Sequence, residues 1–450
     1  MQRIYTNAAS VVVWLGPENE SSRAAMELII EHNGPGGNEK VLLQHKHESL
    51  RALSDIFLRT WFKRIWIIQE VVAARELVIF CGQWILPWNF LSKVCTKIRK
   101  EEFSPDGKSH LLRGSGHRNF TVLNDFRRGR STMSLTKYLQ CTKDYQASDP
   151  RDKLYALIGL ACDISPDDII PDYAKSIKTV FLGLVRFLVT KRGSLDIISS
   201  GRLDRPTSTT PLGRRLRADE IIPSWLPDWS PSQDLRPLNS EEVDTPFYRA
   251  GGGTVAVVRM NAFPHMLEVE GIVVDKIDFF GGAIKSPARE SIQTIRRWQY
   301  IAGQHLTSDS NFGVVTPPGF LTTIVAGKNC MAGCAHGTQS QSENMIELCI
   351  SGEGSQTVGM SDYFSDAVTR AVMGPRFFIT AKKRMGLGVP EVQLRDRVVV
   401  LKGCSVPLIM RAVGDHMVIV GESYVSGIMG GEVMEDLAKG RYKTRMIRLQ

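Results

Sequence analysis

The stretch 61–83, WFKRIWIIQEVVAARELVIFCGQ, predicts a helix that leads directly into a buried strand. Apolar residues in its first half recur every three or four positions, the spacing of one helix face: Trp61, Ile65, Ile68 and Val72. Residues 76–81 then form a short, mostly apolar run that stops at Gly82, as a strand does.

Glu70 places a carboxylate on this otherwise apolar helix, and Trp66, four residues earlier, lies on the same face. Burying a carboxylate is costly unless the group is paired or hydrogen-bonded. Arg64 and Gln69 are the nearby candidates for a partner. We therefore expect Arg64 and Glu70 to come within ion-pair reach or to share a partner.

Strand, helix and strand alternate through residue 81, which predicts an α/β layer over residues 1–190. Residues 11–15 (VVVWL) form an unbroken apolar run, typical of a central parallel strand that is covered on both faces. We expect residues 11–15 and 77–80 to be the buried parallel strands of this layer.

Composition indicates a soluble globular chain of two or three domains, since 450 residues exceed a single ordinary core. The net charge of +9 is scattered and no recognition module accompanies it, so we expect no nucleic-acid partner. Eight cysteines at this length favour a reducing compartment, and a cytoplasmic location is predicted. No apolar run reaches the roughly 18 residues of a membrane span.

A second motif, DPRDKLYALIGL, occupies residues 149–160. Its opening, Asp149 to Asp152, predicts a helix N-cap and first turn, with Pro150 at the first helical position. Capping is favoured over a catalytic role for these acids.

Three ordered segments resemble the fungal heterokaryon-incompatibility (HET) domain. Residues 61–74 match its W-x-x-R-x-W-x-x-Q-E-x-x-x-A core, residues 4–16 its "IY..A..V.VWLG" segment, and residues 149–173 its "D.RDKIYALLGL … PDY" segment. The motif residues that this resemblance singles out are Trp14, Gly16, Trp61, Arg64, Trp66, Gln69, Asp149, Arg151, Asp152, Tyr155, Gly159 and Tyr173.

The resemblance implies a self/non-self recognition protein whose HET domain promotes programmed cell death on assembly, with self-association or signalling-protein partners. In that family an earlier strand-and-loop segment precedes the "VWLG" strand. The expectation is therefore an N-terminally truncated domain that is weak or silent in a cell-death assay. An inactive truncated member is a further alternative.

The HET domain has been regarded as a distant relative of TIR domains, some of which cleave NAD with a helix-borne glutamate four residues after a tryptophan. Trp66 and Glu70 have that spacing. In such chemistry the Glu70 carboxylate would stabilise an oxocarbenium-like ribose. The alternative, which we favour, is that Glu70 pairs with Arg64 or caps a neighbouring backbone group. Whether the protein is an enzyme stays open, and no resident cofactor is predicted.

Residues 191–250 are predicted to be a linker containing PSWLPDWS, residues 223–230, whose Trp225 and Trp229 pin it to the main domain. Residues 251–370 are predicted to be a mixed α/β and loop region. Its cysteine and histidine residues lack paired C-x-x-C spacing, so free thiols are predicted rather than a metal site: Cys330, Cys334, His336 and Cys349.

Short strands about ten residues apart over 371–435 predict a small antiparallel β unit, a barrel or sandwich, followed by a tail at 436–450. This part resembles the C-terminal region often seen in HET-domain proteins, including its "GD.V..L.G…P..LR" pattern. Asp396 and Arg411 stand at the aspartate and arginine of that pattern, and Arg395 replaces the glycine before the aspartate.

Overall fold

The computed structural model describes residues 2–34, 47–102, 115–129, 133–165, 167–199, 223–227, 238, 248–260, 266–284, 289–306, 316–327 and 376–450. These residues form two compact units, one from residues 1–173 and the other from residue 174 onward. The five segment boundaries drawn from the sequence stay predictions.

The first unit combines helices with a small sheet. Its strands are β1 (Val11–Trp14), β2 (Leu77–Cys81) and β3 (Trp84–Pro87). Its helices are α1 (Gln2–Asn7), α2 (Glu20–Asn33), α3 (His47–Ile56), α4 (Ile67–Ala73), α5 (Trp88–Glu102), α6 (Ser115–Arg128), α7 (Leu135–Cys141) and α8 (Asp152–Tyr155).

The sheet has the order β1-β2-β3, with β1 and β2 parallel and β2 and β3 joined as an antiparallel hairpin. The predicted parallel pair is confirmed. The expectation that β1 is central and covered on both faces is wrong, because β1 lies at one edge of this sheet. Val11 and Val13 are buried, whereas Val12 and Trp14 are 54% and 55% exposed. A run of consecutive apolar residues therefore hid an alternation between a covered and an open face.

The predicted continuous helix from residue 61 is interrupted. A 3-10 turn spans Thr60–Lys63, Arg64 is extended, and α4 begins only at Ile67. The cause is a distant backbone segment: Ile65 N donates to Gln146 O (2.9 Å) and Gln146 N donates to Lys63 O (2.5 Å). Backbone groups that an unbroken helix would bond internally are satisfied by residue 146 instead.

Aromatic side chains form much of the interior beside this turn. Phe62 is fully buried, and its ring lies 5.1 Å from Phe57, 5.0 Å from Trp61 and 6.1 Å from Phe120, centroid to centroid. Edge-to-face packing of this kind adds stability beyond the area that is buried. The cluster fixes the chain directly before α4.

The second unit contains a β-barrel and accessory helices. The helices are α9 (Ile177–Arg192), α10 (Asp196–Ser199), α11 (Arg289–Leu306), α12 (Phe320–Ile324) and α13 (Glu432–Ala438). The strands are β4 (Val258–Met260), β5 (Leu267–Ala283), β6 (Arg376–Thr380), β7 (Met385–Gly388), β8 (Arg397–Leu401), β9 (Leu408–Val413), β10 (His416–Val425) and β11 (Arg445–Leu449).

Antiparallel pairing closes the strands into a ring, β5-β6-β7-β10-β9-β8 and back to β5. The long strand β5 makes this possible, because its register shifts let one half pair with β6 and the other with β8. Inside lie small and branched apolar side chains, among them Ile272, Val274, Val398 and Val400.

The predicted antiparallel β unit is confirmed, and strands from outside residues 371–435 pair with it. Strand β5 comes from the predicted mixed region, and β11 comes from the predicted tail and pairs with both β5 and β10. The PSWLP segment is also attached differently from the prediction. Ile419 N, on β10, donates to Ser224 Oγ (3.1 Å), so this segment is fixed to the barrel, with Trp225 buried.

Trp229 and the four predicted free-thiol and histidine positions Cys330, Cys334, His336 and Cys349 lie outside the described residues. Within the described ranges, no group of His, Cys, Asp and Glu side chains is arranged to hold a metal ion. Nor does any described helix have the length and apolar character needed to cross a bilayer.

Candidate functional site

The two motif segments of the first unit meet at the carboxylate of Asp152. Trp66 Nε1 donates to Asp152 Oδ2 (3.1 Å), and Tyr173 Oη donates to Asp152 Oδ1 (2.5 Å). Trp66 occupies the N-cap position of α4, while Asp152 is the first residue of α8. The carboxylate therefore ties the tryptophan motif, the DPRDKLY motif and the Pro-Asp-Tyr segment together.

Arg151 adds a second layer to this cluster. Its Nε donates to Asp149 Oδ1 (2.9 Å) and its Nη2 to Asp149 Oδ2 (2.6 Å). Its Nη1 donates to Tyr173 O (2.6 Å), and its guanidinium lies 5.2 Å from the Tyr173 ring centroid. The hydrogen bond from Arg151 lowers the pKa of Asp149. Burial, followed by the bond to Asp152, raises the pKa of Tyr173. The result is a charged cluster whose members are fixed to one another.

The predicted N-cap is wrong, because Arg151 and not Asp149 occupies the N-cap position of α8, and its side chain makes no capping hydrogen bond. Asp149 Oδ1 accepts the backbone N–H of Arg151 (2.9 Å), which stabilises the turn before the helix. Helix α8 begins at Asp152, so Pro150 precedes the helix instead of opening it. Asp152 itself faces Trp66 and Tyr173, a role that only the distant contacts could reveal.

Three further motif residues hold the same segments in place. Gln69 Nε2 donates to Ala156 O (3.0 Å), and the Tyr155 hydroxyl bonds to the backbone of Asp172 (3.0 and 3.1 Å). A Cβ at Gly159 would approach Gln2 Oε1 to 2.5 Å, a contact that movement of the Gln2 side chain could relieve.

Glu70 lies apart from the Asp152 cluster. Its Oε2 accepts a hydrogen bond from Trp61 Nε1 (3.2 Å). Burial raises the pKa of Glu70, and the Trp61 bond and the Arg64 charge partly oppose that rise. No ion pair within 4.0 Å joins Arg64 to Glu70 among the described side chains, so the first form of the prediction is wrong. Both charges nevertheless act on the Tyr5 hydroxyl, whose pKa burial raises.

Trp14 and Gly16 lie outside both groups. Trp14 is half exposed on the open face of the sheet, and Gly16 adopts φ +99°, a conformation that favours glycine. Arg59, which the sequence motifs did not single out, donates to Leu15 O (2.6 Å) and Pro17 O (2.9 Å) on either side of Gly16.

The sequence patterns did not single out Lys153 either. Its side chain is almost fully buried, and Nζ donates to Lys143 O (2.8 Å) and to Tyr145 O. Its position inside a motif was the available signal, since lysine is rarely buried without partners.

Removing the tryptophan donor to Asp152 should weaken the first unit modestly. We expect Trp66→Phe to lower the free energy of unfolding by about 1 kcal/mol, because it keeps an aromatic side chain, although a smaller one, and removes a hydrogen bond to a carboxylate. Urea unfolding of Trp66→Phe, Tyr173→Phe and the double variant would measure the coupling through Asp152. Trp14→Phe is the matched control, and an equal loss there would contradict the role of the hydrogen bond.

Glu70 should make stability depend on pH. Its pKa is raised in the folded state, so its contribution is fully present below the ordinary value of 4.5 and is lost as pH rises through the folded pKa. We expect the free energy of unfolding of Glu70→Gln to vary less with pH than that of the wild type between about pH 4 and pH 7. The exposed Glu27→Gln variant should keep the wild-type slope, and the same flattening in both variants would refute the assignment.

Comparison with known proteins finds a family match in a part of each unit. Residues 1–70 match the family model "Heterokaryon incompatibility protein (HET)", and residues 329–442 match the Het-6 beta-barrel domain. The chain is similar to "Heterokaryon incompatibility protein 6, OR allele" of Neurospora crassa, with 22% identity over 547 aligned positions that cover 97% of this chain and 78% of the relative. No solved structure matches the chain.

Proposed function

Since this chain is a HET-domain protein, matched to the domain over residues 1–70, we propose that it acts in fungal self/non-self recognition and promotes programmed cell death when its first unit self-associates. The Neurospora relative supports the general family role of heterokaryon incompatibility. The cell-death output and the need for assembly are the parts that we propose here.

The observation that carries this proposal is the meeting of Trp66, Asp152 and Tyr173. Trp66 and Asp152 are 86 positions apart, yet their polar atoms bond to each other. Arg151 and Asp149 likewise neutralise each other. Motif groups that are used up in such mutual contacts favour a rigid signalling platform over a catalytic centre, which needs groups free to meet a substrate.

An inducible dimeriser fused to the full chain would test this proposal in fungal cells. We expect little effect of the fused chain without the dimerising drug, because the proposed output depends on assembly. With the drug we expect growth arrest, measured as colony-forming units and dye uptake. A folded wild-type chain that stays harmless after forced association would overturn the proposal.

Matched variants separate the role of the cluster from that of general charge. Asp152→Asn and Trp66→Phe should reduce the drug-dependent killing, because each removes a contact that holds the platform together. Asp278→Asn, an exposed aspartate on β5, should kill as wild type does. Protein amounts in each strain are compared by immunoblot.

A second candidate function is hydrolysis of the nicotinamide–ribose bond of NAD by Glu70. It is supported by the partly buried Glu70 carboxylate, whose pKa is raised and which accepts a hydrogen bond from Trp61. Purified protein incubated with NAD should then release nicotinamide and ADP-ribose, seen by chromatography. Glu70→Gln should abolish the release and Glu27→Gln should not. Turnover that persists in Glu70→Gln would eliminate this candidate.

A further inference from the structure

The second unit contains an open cavity of about 360 Å³ beside the turn between β6 and β7. Its walls come from the turn between β6 and β7, the end of β10, the end of α11 and the turn before α12. Its size falls in the range of about 300–1,000 Å³ typical of small-molecule sites. All of these elements belong to the same compact unit.

Lys383 and Arg384 are the charged residues of the lining, and none of the described residues that line the cavity is acidic. The preceding Lys382 is committed elsewhere, since its Nζ donates to Val274 O (3.1 Å) and stands 4.9 Å from the Tyr442 ring centroid. Two of three consecutive cations therefore remain for the cavity.

The turn that carries these cations is held firmly. Thr380 accepts hydrogen bonds from Lys383 N (2.9 Å) and, through Oγ1, from Arg384 N (3.0 Å). Lys383 adopts φ +63°, a conformation that non-glycine residues rarely occupy. The tight turn between β6 and β7 accounts for this conformation.

Donors at this site lack acceptors. Arg384 Nη1 is shielded from solvent and has no hydrogen-bond partner. The Ser426 hydroxyl, which also lines the cavity, makes no hydrogen bond to the described residues. An unpaired buried donor on a charged group destabilises the protein, so an acceptor that reached the Arg384 guanidinium would stabilise it.

Apolar side chains also line the cavity, among them Pro317, Pro318 and Met385. A Cβ built on Gly319 lies 3.7 Å from Ser426 Oγ and 3.9 Å from Met385 Cε, so the turn after the two prolines lies close to the Ser426 hydroxyl. An anionic group and an apolar body would thus both find partners in the same cavity.

We propose that this cavity binds a small organic phosphate monoester. The phosphate would lie on Lys383, Arg384 and Ser426, and the organic body would pack against Met385 and the two prolines. A phosphate offers three acceptor oxygens and nearly two negative charges, which suits two cations and a hydroxyl better than a carboxylate would. This binding is independent of the function proposed for the first unit.

Phenyl phosphate is a suitable probe, with benzoate and inorganic phosphate as comparisons, in calorimetric titrations of the full chain at constant ionic strength. We expect saturable binding that is tightest for phenyl phosphate, because only this probe uses both the charged and the apolar residues of the lining. Arg384→Gln should weaken the binding by about 10- to 100-fold, the scale of a charge-assisted hydrogen bond. Lys383→Gln should weaken it less, because Lys383 is exposed.

Arg395→Gln is the matched control, because this substitution removes the same charge. Arg395 is an exposed arginine of the same barrel and also has a positive φ (+68°). It should bind phenyl phosphate as wild type does. Equal weakening in Arg384→Gln and Arg395→Gln, or no saturable binding by a folded wild-type chain, would overturn the proposal. Circular dichroism verifies the fold of each variant. If Arg384→Gln is misfolded, the binding of phenyl phosphate to Lys383→Gln tests the proposal in its place.

A lipid headgroup carries the same chemistry, so vesicles with and without phosphatidic acid form a second arm. Binding to these vesicles that Arg384→Gln loses and Arg395→Gln keeps would assign the phosphate to a lipid. Binding of phenyl phosphate alone would assign it to a soluble ester.

Discussion

Replacing Arg411 with methionine should lower the free energy of unfolding of the barrel by about 3 to 5 kcal/mol. Arg411 Nε and Nη2 bind the two oxygens of Asp396 at 2.8 and 2.9 Å, and Nη2 also donates to Glu391 O (2.9 Å). The Asp396 side chain is only 2% exposed. Without the guanidinium, an almost fully buried carboxylate would lose its opposite charge.

Removing the other partner should cost less. Asp396→Asn leaves an Arg411 side chain that is 34% exposed and can be hydrated by water. Because a chain of two units need not unfold in one step, the measurement should report the barrel separately. Hydrogen exchange of peptides from β8 and β9, followed in increasing urea, does so.

The neighbouring Arg395→Met variant is the control for losing an arginine at the surface. We expect a change within about 0.5 kcal/mol there. If Arg411→Met and Arg395→Met had similar effects, the buried pair would not be the main contributor.

Replacing Phe62 with alanine should destabilise the first unit by a similar amount, about 3 to 5 kcal/mol. The Phe62 side chain is fully buried and packs against Phe57, Trp61 and Phe120. Alanine would leave a cavity that rigid aromatic neighbours fill poorly. Hydrogen exchange of peptides from α4 and α6, recorded at increasing temperature, measures the loss of stability.

Leu58→Ala serves as the control, because Leu58 lies four residues before Phe62 but is 57% exposed. Its effect should be small. In the forced-association assay, Phe62→Ala should also reduce killing if the first unit must be folded to act. Full killing by an unfolded Phe62→Ala chain would contradict the proposed role of that unit.

Several of the motif residues contact one another, but the motifs did not indicate which residues would be partners. Glu70 was expected to pair with Arg64, six residues away, and instead bonds to Trp61 across the 3-10 turn. Asp152 was expected to serve a helix end and instead joins Trp66 to Tyr173. Spacing along a helix predicts neighbours only where the helix is continuous, and at Arg64 it is not.

The sequence by itself determined the class of each unit. Unbroken apolar runs followed by Gly16 and Gly82 marked the parallel pair of β1 and β2, and short strands separated by turn residues marked the antiparallel barrel. These signals are local, because hydrophobic periodicity and turn chemistry act over a few residues.

Tertiary structure alone decided the rest. Gln146 ended the predicted helix by exchanging backbone hydrogen bonds with Lys63 and Ile65, and β5 and β11 joined the barrel from segments predicted to lie outside it. Such pairings depend on which distant backbone or carboxylate arrives opposite a residue. That choice follows from satisfying buried polar groups across the whole fold, so a local pattern could not reveal it.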